Sequence, residues 1–337
     1  MSDGRLIAVE EHFVVDELLA AGLRYLAGPA GEHSGWREAG AALEDEDRER
    51  RGRLALDLGE GRLQAMDVAG IDLALLSLST VANLQMLEPA EATALARVAN
   101  DRLADAVNAH PDRFAGLACV APQDPAAAAA EIERATTVLP LRGVIINSHA
   151  RGEYLDAPRY APIFAAAEAC AAPIYLHPSL LPAGAVSPYL EYGLMAAMWG
   201  YAADASLHAL RIILAGTFDR FPRLRMVLGH LGEHIPFSLS RLDAHHAQTR
   251  ARTTPRLQRR PSEYVREHLL VSTSGMNHAP ASIRFCLEQL GADRVMFAAD
   301  YPFEDIGEEV AAFARAPLSP SDRAAVSHGN AERVFGL

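Results

Sequence analysis

Lysine is absent from this 337-residue chain: all 31 basic residues are arginine. That excludes Schiff-base catalysis, a lysine general base and any two-metal bridge built on a modified lysine, so a metal centre here is expected to hold one ion. Cysteine is scarce as well. Cys119, Cys170 and Cys286 lie far apart in apolar surroundings, form no CxxC pair and give no disulfide framework, and each reads as a core residue. Positive charge is in deficit, with a formal net charge of −12. A chain without a basic face is a poor partner for nucleic acid. The one dense basic run, Arg48 to Arg53, is interleaved with acids and reads as a solvated face. No apolar run is long enough to span a bilayer. The opening Met-Ser-Asp-Gly-Arg has none of the features of a secretory leader, so a cytoplasmic enzyme is the expectation. Missing too are a GxSxG elbow, a P-loop and a dinucleotide fingerprint, which sets aside serine-nucleophile, phosphoryl-transfer and NAD chemistry.

What the chain does contain is a rhythm. Eight short runs rich in Val, Ile, Leu and Phe fall at 6–10, 71–78, 114–120, 143–147, 173–177, 225–230, 270–274 and 295–300. They lack clean alternation, as parallel strands covered on both faces do. Ala- and Leu-rich stretches of helical spacing lie between them, at 89–110, 124–137, 158–171 and 280–290 among others. Eight strands alternating with helices predict an α/β fold, a (β/α)₈ TIM barrel, with residues 1–337 as one domain. Two connections are long, residues 14–60 after the first strand and 179–223 after the fifth. Insertions on that side of a barrel cover its active site.

The polar residues fall where barrel enzymes place their chemistry. The strands end in Val9-Glu10-Glu11-His12, Leu176-His177-Pro178, Gly229-His230-Leu231-Gly232-Glu233 and Ala299-Asp300-Tyr301. Glu10 and His12, two apart, share one face of a strand. If that face is the interior, they approach one ion together, and His177 and Asp300 can complete the shell. A mixed nitrogen and oxygen set suits Zn²⁺ or Mn²⁺ and is too hard for copper(I). Glu11 points the other way and reads as structural. Glycines at 229 and 232 permit a tight turn that lets Glu233 reach the His230 imidazole, an acid–base pair. His149 and Tyr301 are the candidate substrate contacts. His208 reads as core, and His33, His110, His245, His246, His268, His278 and His328 as surface or loop residues.

Several longer motifs carry a resemblance. They are the Glu-Glu-His-Phe opening at 10–13, the stretch from Gln64 to Asp72, Ile146-Asn-Ser-His149 with Tyr154-Leu-Asp156, and Tyr175-Leu-His-Pro178. They continue with Phe218-Asp-Arg-Phe-Pro222, the run from Leu228 to Glu233, Ser272-Thr-Ser-Gly275, Asp300-Tyr-Pro-Phe-Glu304 and the close from Asn330 to Phe335. Along nearly its whole length the chain resembles the amidohydrolase superfamily. Within it, the chain is most similar to the metal-dependent aromatic acid decarboxylases typified by γ-resorcylate, 2,3-dihydroxybenzoate and 5-carboxyvanillate decarboxylases.

That resemblance implies that Glu10, His12, His177 and Asp300 ligate one divalent ion, with no organic cofactor, and that His230 and Glu233 form the active-site pair. It implies that Arg241 reaches a neighbouring subunit's substrate, hence a homodimer or homotetramer, and that the substrate is a small carboxylic acid. The implied reaction is non-oxidative decarboxylation of an ortho-hydroxylated aromatic or related unsaturated acid. In it the metal binds the carboxylate and an adjacent ring hydroxyl, and Asp300 protonates the carbon that bears the carboxylate. Protonation then supplies the electron sink that an organic cofactor provides elsewhere. One position departs from the pattern: after Pro178 these decarboxylases commonly carry arginine, and this chain has Ser179. Loss of that cation points away from a doubly acidic benzoate, toward a more neutral or bulkier substrate. The alternative on the same scaffold is a hydrolase or hydratase acting on a lactone, amide, ester or enoic acid.

Overall fold

A computed structural model describes residues 4–31, 35, 45–249 and 255–337; His33 lies outside them. The strand segments are β1 (Ile7–Phe13), β2 (Leu73–Leu78), β3 (Phe114–Gly116), β4 (Ala118–Cys119), β5 (Val144–Asn147), β6 (Ile174–His177), β7 (Met226–Leu228), β8 (Leu269–Ser272) and β9 (Val295–Met296). Every pairing between them is parallel. β3 and β4 are halves of one stave, interrupted at Leu117. The Leu117 N–H turns back to Leu76 O (2.8 Å), while the Ala118 N–H reaches forward to Gly143 O (2.9 Å). The seam between first and last staves closes through Val9 N to Phe297 O (3.0 Å), Asp300 N to Glu10 O (3.1 Å) and His12 N to Tyr301 O (2.7 Å). The result is the eight-staved (β/α)₈ barrel. Its wall is buried on both faces, since every residue of β1, β2, β5, β6 and β8 is buried.

The helices start and stop where local chemistry dictates. Pro89, Pro125 and Pro280 each open a helix, where their missing N–H costs nothing. The Asp124 side chain caps Pro125–Thr137 by accepting from Ala127 N at 3.1 Å. Ala128, Ile132 and Ala135 then face inward at helical spacing. His268 departs from expectation: it is buried, stacks on Phe218 with ring centres 4.4 Å apart, and pairs through Nδ1 with Leu224 O at 3.0 Å. His208 is a core residue held by Leu155 N at its Nε2 (2.9 Å).

Both long connections sit beside the mouth. The first carries helices Asp16–Ala27 and Asp45–Leu56; the second carries Ser187–Leu190 and Gly200–Leu214. They meet in a small apolar cluster of Leu180, Leu181, Val186 and Met195, against which Leu26, Val81 and Tyr201 pack. Among the described residues no helix is long and apolar enough to cross a membrane.

Candidate metal centre

β1 runs further than its apolar stretch, so Glu10 and His12 lie inside a strand and not at its end. Its register against β2 shifts between Ala8 and Glu11, a bulge of the kind that re-aims side chains at a barrel rim. Glu10, His12 and His177 each present one donor atom, all within 4.8 Å of one another. His177 Nε2 is 3.4 Å from Glu10 Oε1. Asp300 follows β9 with φ of 64°, a left-handed turn that brings its Oδ1 to 3.2 Å from His12 Nε2. Gly229 leaves the room this requires, because a Cβ there would stand 2.9 Å from Glu10 Oε1.

The residues fit a cation. Glu10 Oε1, His12 Nε2 and Asp300 Oδ1 are buried and have no hydrogen-bond partner among the described residues. Each such orphan costs on the order of 1–3 kcal/mol unless something else satisfies it. The remaining atoms of the same side chains are tied down. Glu10 Oε2 accepts from the hydroxyls of Tyr175, Ser272 (2.6 Å) and Ser274. His12 Nδ1 pairs with Ser77 Oγ at 3.2 Å, and His177 Nδ1 donates to Pro178 O at 2.8 Å. These outer bonds turn both Nε2 atoms inward.

Electrostatics separates the histidines. Burial, reinforced by the neighbouring His12 and His230, holds His177 well below its ordinary pKa, so it stays neutral with its lone pair available. Burial acts in the same sense on His230, but the charges of Glu233 and Glu10 outweigh it and raise its pKa well above the usual value. Its Nδ1 lies 2.6 Å from Glu233 Oε1, and its Nε2 lies 3.7 Å from Asp300 Oδ2 and 4.0 Å from Glu10 Oε1. Burial pushes Asp300 up, yet the neighbouring His12 and His230 imidazoles leave it below the usual carboxylate range. Exposure is graded across the centre among the described residues: the His230 and Asp300 side chains are 23 % and 13 % exposed, whereas those of Glu10 and His12 are 0 % exposed. The turn that carries the pair is left-handed at His230, Leu231, Glu233 and His234, a concentration of backbone strain typical of a functional site.

Other expected contacts are not part of this cluster. His149 has both ring nitrogens committed to backbone, Nδ1 accepting from Gly152 N at 3.0 Å and Nε2 paired with Leu180 O at 2.9 Å. These bonds tie the β5 loop to the second insertion. Tyr301 points behind the wall, its ring 4.7 Å beneath the Arg62 guanidinium. Arg241 is exposed on helix Ile235–Thr249 and makes no hydrogen bond or ion pair among the described residues.

Sequence reasoning missed the three hydroxyls on Glu10. The signal was present, since Tyr175 stands two before His177 and Ser272 two before Ser274, and period two puts each pair on one face. The basic run is a solvated face at Arg48, Arg50 and Arg53, as expected, but not at Arg51. Arg51 lies over the Phe303 ring at 6.0 Å, its Nε is buried without a partner among the described residues, and the Phe303 ring is 5.6 Å from that of His12. Tyr201, from the second insertion, packs on the small apolar cluster of Leu180, Leu181, Val186 and Met195, and its hydroxyl is raised by burial and then by the charges of Asp300 and Asp204.

A parallel barrel with histidines and carboxylates converging at the C-terminal end of its strands defines a class of enzymes built around a metal centre. The chain belongs to the amidohydrolase family, whose profile matches residues 11–337. It is 36 % identical to the γ-resorcylate decarboxylase of Rhodococcus jostii over 98 % of each chain. Its fold superposes on the 5-carboxyvanillate decarboxylase of Novosphingobium aromaticivorans, solved with manganese and 4-hydroxy-3-methoxy-5-nitrobenzoic acid. The TM-score is 0.94 at 37 % identity, covering 99 % of this chain and 97 % of that one. A dihydroxybenzoic acid decarboxylase from Polaromonas sp. JS666, solved with manganese and 2-nitroresorcinol, matches with a TM-score of 0.87 at 32 % identity, covering 99 % and 97 %.

Proposed function

We propose that this protein is a metal-dependent, non-oxidative decarboxylase of an ortho-hydroxylated aromatic acid. We read residues 1–337 as one catalytic unit that needs no organic cofactor. The observation that carries the reading is the set of three orphaned atoms, Glu10 Oε1, His12 Nε2 and Asp300 Oδ1, grouped beside His230. Glu10, His12 and His177 present donors within 4.8 Å of one another, and Asp300, whose Oδ1 stands 3.2 Å from His12 Nε2, is the proposed fourth ligand of a two-imidazole, two-carboxylate set for Zn²⁺ or Mn²⁺; manganese is the ion held by the two solved relatives. A bound divalent ion would supply Lewis-acid stabilisation to the substrate carboxylate and the neighbouring hydroxyl oxygen.

The chain's own groups do the rest. Glu233 holds the His230 ring by its Nδ1–H, which leaves Nε2–H directed at Asp300 and at the open side. His230, oriented by Glu233, is the proton source, and Asp300 hands the proton to the ring carbon bearing the carboxylate. A C–H bond forms, the C–C bond to the carboxylate breaks, CO₂ leaves, and the released electron pair restores aromaticity. Arg51, with Phe303 beneath it, supplies the positive charge at the mouth that the serine at 179 does not. Arg241 serves a second copy of the chain in a homodimer or homotetramer. Phe237, 82 % exposed on the same helix, supports a face that another subunit covers.

The test is a panel of hydroxybenzoates offered to Mn²⁺- and Zn²⁺-reconstituted protein, scored for CO₂, alongside esters, amides and lactones. Turnover of ortho-hydroxy acids alone is expected; hydrolysis of the second group with no CO₂ from the first would overturn the proposal. His230→Ala should keep its metal and lose about 10²- to 10⁴-fold in turnover. Loss of the ion in that variant would make His230 a ligand.

A further inference from the structure

The turn that carries His230 is costly to hold. Five consecutive residues, His230 to His234, have positive φ between 50° and 80°. Four of them bear side chains that disfavour this conformation, so the turn keeps its shape only where its surroundings impose it. One bond closes it internally, Gly232 N to Gly229 O at 2.7 Å. Two side chains reach it from outside. Cys286 Sγ lies 3.5 Å from Leu231 O, and Ser274 Oγ accepts from the His230 N–H at 3.2 Å.

Ser274 has a second partner. Fully buried just beyond β8, it donates its own proton to Glu10 Oε2. A serine hydroxyl has one proton, so the oxygen keeps only lone pairs for the His230 N–H. Donation to a carboxylate also makes that oxygen a better acceptor. One atom thus touches both a proposed metal ligand and the main chain of the proposed proton source. Tyr175 and Ser272, the other hydroxyls on Glu10 Oε2, bond to each other at 2.9 Å and make no hydrogen bond to the turn among the described residues. Glu10 Oε1 is meanwhile buried without a partner among the described residues. A cation taken up there would fix the carboxylate, and with it the direction of the Ser274 hydroxyl. We infer that Ser274 is a positioning residue that seats the His230 turn when the metal centre fills.

The inference rests on the metal centre proposed above, and the experiment tells the two apart. Amide hydrogen exchange across 229–234 is followed by mass spectrometry in metal-stripped and Mn²⁺-saturated protein, with Mn²⁺ affinity titrated against a chelating dye. Wild type is compared with Ser274→Ala, Ser77→Ala and Cys286→Ala. In wild type the ion should slow exchange across the turn about tenfold or more. Ser274→Ala should bind Mn²⁺ about tenfold more weakly, the usual effect of removing an outer partner of a metal ligand. Once saturated, its turn should still exchange within about twofold of the stripped protein. Ser77→Ala removes the hydroxyl 3.2 Å from His12 Nδ1; it should lose similar affinity yet keep the slowing at saturation. Cys286→Ala should exchange faster with and without the ion and keep the ratio, as would any change that merely loosened the fold. If Ser274→Ala does not fold, Ser274→Cys carries the same prediction, because a thiol is a weak donor and a weak acceptor. Slowing that persists in the foldable Ser274 variant overturns the link, and so does its equal loss in Ser77→Ala or Cys286→Ala. Wild type that binds Mn²⁺ without any change across 229–234 overturns the link and leaves the metal centre standing. Absence of Mn²⁺ binding by wild type overturns the centre itself, and the link with it.

Discussion

The two faces of β1 at the barrel mouth put adjacent carboxylates to opposite uses. On the inner face, Glu10 has one oxygen saturated by three hydroxyls and the other left unpaired toward His177. On the outer face, Glu11 has both oxygens occupied by backbone, from Ala299 N (2.9 Å) and Tyr301 N (3.2 Å). Burial pushes Glu11 up to about 8, with those donors and the Arg62 charge pulling the other way. Arg62, itself buried, donates to His12 O (2.6 Å) and Asp57 O (2.8 Å). The outer layer thus holds the strand and the Asp300 turn in place, while the inner layer presents unpaired atoms. Residue type alone does not distinguish a ligand from a brace; what distinguishes them is which atoms the surroundings leave unused.

The comparison can be broken by substitution. Glu10→Ala should have the largest effect: loss of the ion on dialysis and a fall in CO₂ release of about 10³-fold or more, the several kcal/mol a Lewis acid contributes. Metal analysis beside a melting curve checks it, and a metal-replete, active variant would show that the inner face is not the centre. Glu11→Ala should leave two buried N–H groups without their acceptor, costing about 3 kcal/mol in urea unfolding. Below its transition it should still take up a full equivalent of Mn²⁺. Loss of metal with an unchanged midpoint would mean the two faces are not separate in function. Tyr175→Phe, the mildest, removes one of the three hydroxyls on Glu10 and should weaken Mn²⁺ binding about tenfold with little change in stability. No change there would mean that Ser272 and Ser274 suffice to orient the carboxylate.

Much of this was legible in the chain, and the reasons differ by residue. Glu10 and His12 declare a shared face because the strand period is two, and His177 and Asp300 stand out as polar residues closing apolar runs. Strand limits were less legible. Regular strand β9 covers only Val295–Met296 of the stretch 295–300, although Phe297 and Asp300 still bond to β1, and the third stave changes partner at Leu117, because apolar composition does not mark where the regular ladder ends. His149 and Tyr301 follow apolar runs as His177 and Asp300 do, yet one is consumed by backbone partners and the other turned outward. Arg51 looked solvated because its helix is built of charges; the proximity of Phe303, some 250 residues later in the chain, gives it a different setting.

The sequence by itself determined the barrel, the ligand-type residues and the exclusion of lysine chemistry, because each follows from periodicity, composition or spacing within a short segment. Tertiary structure decided which lone pairs remain free, which histidine carries charge and which side of the centre is open. Those properties belong to groups distant in sequence that share one low-dielectric space, where a partner three ångströms away outweighs any local preference.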